Sequence, residues 1–277
     1  MTTHALSIDV EDWFQSTIDV HAPITERFEV STRKIIDVCA RFNVRATFFV
    51  LGLAAEKAGH VVKAIADAGH EIQSHGYGHQ FVYKQTPDEF REDITRAKAL
   101  IEDLIGKEVY AYRAPCFSID ERNLWALDVL AETGHRYDSS IFPLKTSRYG
   151  INGYPREARI ITTPAGHRLV EAPVASFTFM GKRLPAGGGG YFRLLPYFVI
   201  RYAFRQLDRA GIPGIVYTHP YEYDPVEMSV LKEHVPWKRR LNQGIGRAGF
   251  PGKIDALLAE FSFTAMDEVL APLLEKL

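Results

Sequence analysis

Apolar residues at Ile35, Ile36, Val38, Cys39 and Phe42 recur at helical spacing, so segment 31–42 is expected to form an amphipathic helix. The short unbroken run Ala46, Thr47, Phe48, Phe49, Val50, Leu51 then reads as a strand buried on both faces. This succession repeats along the chain. Ala5, Leu6, Ser7 and Ile8 form a first strand, 61–68 a helix closed by Gly69, and 71–74 another strand. Thr86, Pro87, Asp88 and Glu89 make a capping box with proline at the first helical position, opening a helix that buries Phe90, Ile94, Ala97, Ile101 and Leu104 before Gly106. Segment 109–112 is the next strand. Ser118, Ile119, Asp120 and Glu121 predict a second capping box and a helix reaching Thr133.

Such regular alternation implies parallel strands joined by helices, in an open sheet or a barrel, with ligands at the carboxyl ends of the strands. Asp9, His75, Arg113 and Asp138 each fall at a predicted strand end, and His219 follows the run Gly214, Ile215, Val216, Tyr217, Thr218. These polar groups are expected to share one mouth. The alternation breaks over 149–190, where β-like runs at 159–162 and 168–171 flank the turn Pro164, Ala165, Gly166, His167 and suggest a hairpin-rich insertion. Gly187 to Gly190 lack the Lys-Ser/Thr of a phosphate loop, which leaves a close-approach loop lining the cleft or a plain turn. The expected organisation is one α/β catalytic domain over 1–225, with a helical extension over 226–277 packed on it.

A chain of 277 residues with 46% apolar content can bury one large core. Its net charge of −1, with Lys238, Arg239 and Arg240 as the densest basic run, gives no electrostatic footprint for nucleic acid. Cys39 and Cys116 are too few for a disulfide scaffold. The start of the chain lacks a basic and an apolar signal region, and no apolar stretch reaches the roughly 18 residues of a membrane span, so a soluble cytoplasmic protein is expected.

Two clusters carry chemistry. Asp9, Glu11 and Asp12 crowd one strand end and repel one another, which a nearby cation relieves. His75 and His79, four apart, fall on one side of a helical turn where their nitrogens can converge on one ion.

The ordered segments Ser7-Ile8-Asp9-Val10-Glu11-Asp12, Ser74-His75-Gly76-Tyr77-Gly78-His79, Arg113-Ala114-Pro115, Asp138-Ser139-Ser140-Ile141 and Val216-Tyr217-Thr218-His219-Pro220 together resemble the NodB-type polysaccharide deacetylases, carbohydrate esterase family 4. The likeness covers about residues 5–225. His219-Pro220-Tyr221-Glu222 and the Gly-Gly-Gly-Tyr-Phe-Arg segment look like the branch encoded with bacterial exopolysaccharide assembly systems.

That resemblance implies a distorted (β/α) barrel of fewer than eight strands. It makes Asp9 the general base, Arg113 the group that orients it, His219 the general acid, Asp138 the residue that holds and polarises His219, and His75 and His79 ligands of one divalent ion. The family has two adjacent aspartates where Val10 follows Asp9 here, so the third ligand is Glu11 or Asp12. Zinc suits this donor set best, with cobalt, nickel or manganese admitted. A backbone N–H near Cys116 or Phe117 would complete an oxyanion site, and Tyr77, Pro115, Phe117 and Ile141, with Trp13, would line the acyl or sugar subsite.

The expected activity is metal-dependent removal of an N-acyl group, acetyl first, from an amino sugar in a polysaccharide or a lipid-linked glycan precursor. The competing readings are a metal-free, allantoinase-like cyclic amide hydrolase and a non-catalytic carbohydrate-binding module. The joint presence of Asp9, both histidines, Arg113 and His219 argues against a pure binder.

Overall fold

The computed structural model describes residues 2–146 and 148–277. Its centre is β1 (His4–Val10), buried along its whole length, with β2 (Thr47–Val50), β3 (Glu71–Ser74), β4 (Ala111–Tyr112) and β5 (Tyr137–Asp138) following on one side. The sheet continues through β7 (Arg168–Glu171), which pairs parallel with β5, and ends at β6 (Arg159–Thr162), which pairs antiparallel with β7. A separate hairpin, β8 (Ser176–Phe179) with β9 (Lys182–Pro185), follows. On the other side of β1 lies β10 (Ile215–Thr218), and β11 (Phe263–Thr264) pairs with the start of β1.

Among the described residues the result is a nine-stranded curled sheet in which the path β10-β1-β2-β3-β4-β5-β7 is parallel, β11 is parallel to β1, and only β6 is antiparallel. A distorted barrel of fewer than eight strands was the expectation, and the curled parallel path β10-β1-β2-β3-β4-β5-β7 agrees with it. Outside that path lie β6, antiparallel at the edge beside β7, and the two-residue β11 beside the start of β1.

Strand pleating sorts the side chains onto two faces. Leu6, Ile8, Val10, Phe48 and Val50 pack outward against α2 (Glu26–Phe42), α3 (Gly52–Lys57) and α4 (Gly59–Asp67). Further round, α5 (Pro87–Ile105) and α6 (Trp125–Glu132) cover Tyr112 and Leu169. Ala5, Phe49, Ala111, Tyr137, Val170 and Tyr217 face inward and form a second core. The inward face is the one that also carries Ser7, Asp9 and, beyond the strand ends, His75, Arg113 and His219, all of the same parity along their strands.

α1 (Trp13–Thr17) follows β1, while α7 (Gly189–Leu194) and α8 (Tyr197–Ala210) precede β10. α9 (Glu227–Val230), α10 (Trp237–Gly244), α11 (Phe250–Glu260) and α12 (Met266–Leu274) complete the chain. The segment after 225 is therefore no appendage. Phe250, Ile254 and Leu257 of α11 belong to the outer core. Met266, Leu270 and Leu274 of α12 fill the inside of the curl beneath the site, at the end where β11 meets His4 and Ala5.

Likewise the supposed insertion over 149–190 surrenders β7 to the main sheet, because Leu169 and Val170 are apolar enough to be buried on both of its faces. The capping box on α5 is present, with Thr86 Oγ1 accepting from Glu89 N at 3.3 Å and the Glu89 carboxylate from Thr86 N at 2.7 Å. The second one is absent. Ser118 Oγ accepts instead from Val82 N and the Asp120 carboxylate from Arg122, so α6 starts only at Trp125.

Candidate active site

Arg113 is fully buried, and a guanidinium so placed must find its counter-charge and its acceptors nearby. It donates to Asp9 Oδ1 at 2.8 Å, Ser7 Oγ at 2.8 Å and Ser139 Oγ at 3.0 Å, and lies 4.2 Å over the Phe49 ring. Asp9 is thereby fixed with its second oxygen directed into the cleft, 3.9 Å from His219 Nε2.

His75 and His79 converge from a loop and not from a helical turn. Gly76 at φ 77° and His79 at φ 56° bend the chain, and Asp93 on α5 holds the bend by accepting from Tyr77 N at 2.8 Å and Gly78 N at 3.3 Å. A Cβ on Gly76 would stand 2.7 Å from the Asp93 carboxylate, so glycine is required there. The His75 Nδ1–H donates to the Arg113 carbonyl at 2.8 Å, which fixes the tautomer and turns Nε2 toward Glu11.

Glu11 Oε2 lies 2.6 Å from His79 Nε2 and 4.0 Å from His75 Nε2, and donor atoms of all three residues fall within 4.8 Å of one another. Burial alone would raise the Glu11 carboxyl, but the His79, His219 and His75 rings outweigh it and hold it down at about 2. Burial lowers the His75 ring to about 4, which keeps it a neutral imidazole with a free lone pair. Buried Glu11 Oε2 has no well-aligned hydrogen-bond donor. Two imidazoles and a carboxylate oxygen so arranged fit a divalent ion of the zinc type.

Asp12 stands outside this cluster. It caps α1, accepting from Phe14 N and Gln15 N, and its other oxygen accepts from Thr25 N at 3.0 Å and Thr25 Oγ1 at 2.6 Å. Both of its oxygens are committed to the backbone and Thr25.

His219 leans on Glu222 and not on Asp138. Its Nδ1 lies 3.3 Å from Glu222 Oε2, which also accepts from His219 N and Thr218 Oγ1 at 3.1 Å. Glu222 Oε1 is 3.3 Å from Arg193 Nε on α7, and the Tyr221 ring stacks on His219 at 4.6 Å. Burial works against a charged His219 ring, yet Glu222 first, then Glu11 and Asp9, raise it above the ordinary histidine value.

Asp138 fails to reach His219 because of sheet parity. It faces outward, paired with Glu171 across β5 and β7, while its neighbour Tyr137 faces the interior. Asp138 accepts from Ser140 Oγ at 2.5 Å, and Ser140 Oγ in turn accepts from Ala114 N at 2.8 Å, so it braces the loop that carries Arg113.

Burial raises both carboxyls of the Asp138–Glu171 pair, and the Asp138 charge pushes Glu171 up further. A carboxyl raised by folding contributes stability that is complete below its unfolded value and is lost as the pH climbs through the folded one. Asp138→Asn should therefore melt progressively higher relative to the parent as pH rises from 5 to 9. A pH-independent difference in melting temperature would remove the repulsion from the account.

A cavity of about 220 Å³ opens over the cluster, walled by Trp13, Phe117, Tyr149, Tyr217 and Tyr221, with Arg148 at its edge. Gly189 and Gly190 line it as well. A Cβ on Gly188 would sit 1.8 Å from the Tyr217 carbonyl, so the glycine run is a close-approach loop along the cleft.

Three expected subsite residues lie elsewhere. Tyr77 turns out to Glu56 and beneath Arg96, because its backbone is pinned by Asp93. Ile141 is buried in the layer under α6 and gives its N–H to Glu171 at 3.1 Å, and Pro115 is buried beside the cleft without lining it. The Phe117 N–H is spent on the Ala114 carbonyl at 3.0 Å. Glu222, Arg193, Asp93 and Ser7 were not singled out from sequence. Only Glu222 had a local signal, an acid three positions after a histidine at the start of a turn.

Residues 16–137 match the polysaccharide deacetylase family model, and residues 139–271 match a domain of unknown function, DUF3473. A peptidoglycan-N-acetylglucosamine deacetylase of Bacillus cereus is 40% identical over 98 residues, 35% of this chain and 36% of that protein. A peptidoglycan deacetylase of Helicobacter pylori is 29% identical over 113 residues, 41% and 38% of the two chains. The matches thus span little more than a third of these relatives' length. In fold, the chain is similar to a Mycobacterium smegmatis protein assigned to the polysaccharide deacetylases, with a TM-score of 0.66 and 21% identity over 99% of this chain and 91% of that one.

Proposed function

We propose, from the match of residues 16–137 to the polysaccharide deacetylase model and from the site, that the chain hydrolyses the N-acetyl amide of an amino sugar, in a polysaccharide or a lipid-linked glycan precursor. One observation carries the reading. A carboxylate fixed by a buried arginine and an imidazole braced by a second carboxylate face each other across a three-donor cluster in one cleft.

Glu11, His75 and His79 would hold one divalent ion, with zinc favoured by the donor set. Bound there, the ion supplies Lewis acidity toward water and the acyl carbonyl. Asp9 is placed to take the proton of the attacking water, while Arg113 keeps its carboxylate in one orientation. His219 gives a proton to the departing amine, and Glu222 with Arg193 hold its ring for that transfer. Tyr149 in the cavity wall is the aromatic side chain proposed to meet a pyranose. Since the Phe117 N–H is engaged, the Cys116 N–H is the donor assigned to the developing oxyanion.

The reading is tested by acetate release from N-acetylglucosamine oligomers together with elemental analysis of the purified protein. Turnover of cyclic amides by metal-free protein, with none of the oligomers, would replace it with the allantoinase-like alternative.

The His219–Glu222 pair gives a sharper check. Glu222→Gln keeps the size of the side chain and removes the charge that raises the His219 ring. The basic limb of the kcat/KM profile should move to lower pH, since the protonated ring is the form required, and kcat should fall about tenfold. A limb that stays in place would make Glu222 a purely structural support.

A further inference from the structure

Arg193 of α7 and Gln243 of α10 line one wall of the cleft. Arg193 on α7 donates to the Gln243 carbonyl on α10, and a Cβ on Gly246 would lie 2.5 Å from the Arg193 carbonyl, so α7 and α10 are in close contact. Leu194 at the end of α7 and Phe198 in the first turn of the adjoining α8 are 63% and 72% exposed. α10 adds Trp237 and Leu241, 63% and 56% exposed, and Ile245 follows at the same spacing.

α10 has no buried residue over its eight positions, so packing within the chain does not account for its apolar stripe. Single exposed apolar side chains are ordinary. Five on adjoining elements beside a catalytic cleft are not.

Charge identifies what covers them. Lys238 and Arg239 flank the stripe and are exposed, and no carboxylate occurs between His234 and Ile254 in a chain whose net charge is −1. An apolar stripe led by an exposed tryptophan and bordered by cations is the chemistry of a segment lying in the headgroup region of an anionic lipid layer. No helix among the described residues is long and apolar enough to cross a membrane.

We propose that α10, with Leu194 of α7 and Phe198 of α8, docks the protein on an anionic phospholipid surface with the cleft at its edge. Resting on the amide-hydrolase reading of the cleft, this names the substrate class as an N-acetylated amino sugar still held on a lipid carrier.

The test uses the full chain with vesicles of phosphatidylcholine alone or with about one third phosphatidylglycerol. Binding to the anionic vesicles only, weakening as salt rises, is expected. Lys238→Glu with Arg239→Glu should lower partitioning by at least about tenfold. Trp237→Ser with Leu241→Ser should do the same, and both variants should keep the parent's rate on a soluble N-acetylglucosamine oligomer. Trp13 is buried and Trp237 exposed, so tryptophan emission should shift to the blue on binding and lose that shift in Trp237→Phe.

Absence of binding, equal binding to both vesicles, or partitioning unchanged in the variants would overturn the proposal. A dimer in light scattering that dissociates in the Trp237→Ser/Leu241→Ser variant would overturn it in favour of an interface between copies. Vesicle binding without oligomer deacetylation would sink the proposed function and leave the docking face standing. Deacetylation without vesicle binding would do the reverse.

Discussion

Glu11→Ala, His75→Ala and His79→Ala should each bring the divalent-metal content from about one ion per chain to near zero and abolish amide hydrolysis with it. Asp12→Ala should keep its ion. The difference follows from what each carboxylate is doing. Glu11 Oε2 is buried beside two imidazoles and lacks a well-aligned donor, so removing it deletes a ligand and leaves the other two too few to retain an ion through purification. Asp12 accepts four hydrogen bonds that fix the start of α1 and join it to Thr25 at the head of α2. Its loss removes an N-cap, a cost of about 1–2 kcal/mol, and should appear as a melting temperature lower by several degrees. Elemental analysis and thermal melts on the same four preparations decide it. Metal retained in the histidine variants, or lost from Asp12→Ala, would dissolve the triad.

The strand ends were legible because they rest on local pattern. Apolar runs of four to six residues place Asp9, His75, Arg113 and His219 at equivalent heights, and parallel pairing then puts them on one rim. Parity is the part that height does not convey. Asp138 ends its strand like the others but points to the outer layer, where Glu171 and Ser140 take it. One residue of register separates a side chain in the cleft from one in the outer layer.

Tyr77 and Ile141 were misplaced for a related reason. The first sits in a loop whose backbone is held by Asp93, sixteen positions further along the chain, and the second is drawn into the core under α6. The choice between Glu11 and Asp12 was equally closed to sequence, since it turns on Thr25 folding back against α1. The Arg193–Glu222 contact joins α7 to the turn after β10, and no periodicity in either segment foretells it.

His219→Ala should lower kcat on an N-acetylglucosamine oligomer by about 10²–10⁴-fold while leaving metal content intact. Its Nε2 stands 3.8 Å from Glu11 Oε1 and 3.9 Å from Asp9 Oδ2, near enough to serve the same reacting centre without belonging to the donor cluster. The effect should depend on the leaving group. An amide nitrogen must be protonated to depart, whereas the phenolate of an aryl acetate is weakly basic and leaves unaided. The variant should thus retain far more of its activity on the aryl ester than on the oligomer. Glu222→Gln should show the same bias in milder form, because it weakens the protonated ring without removing it. If His219→Ala lost equal activity on both substrates with its metal intact, His219 would be stabilising the oxyanion or shaping the cleft, and the leaving amine would have to draw its proton from Asp9 after that carboxylate had taken one from water.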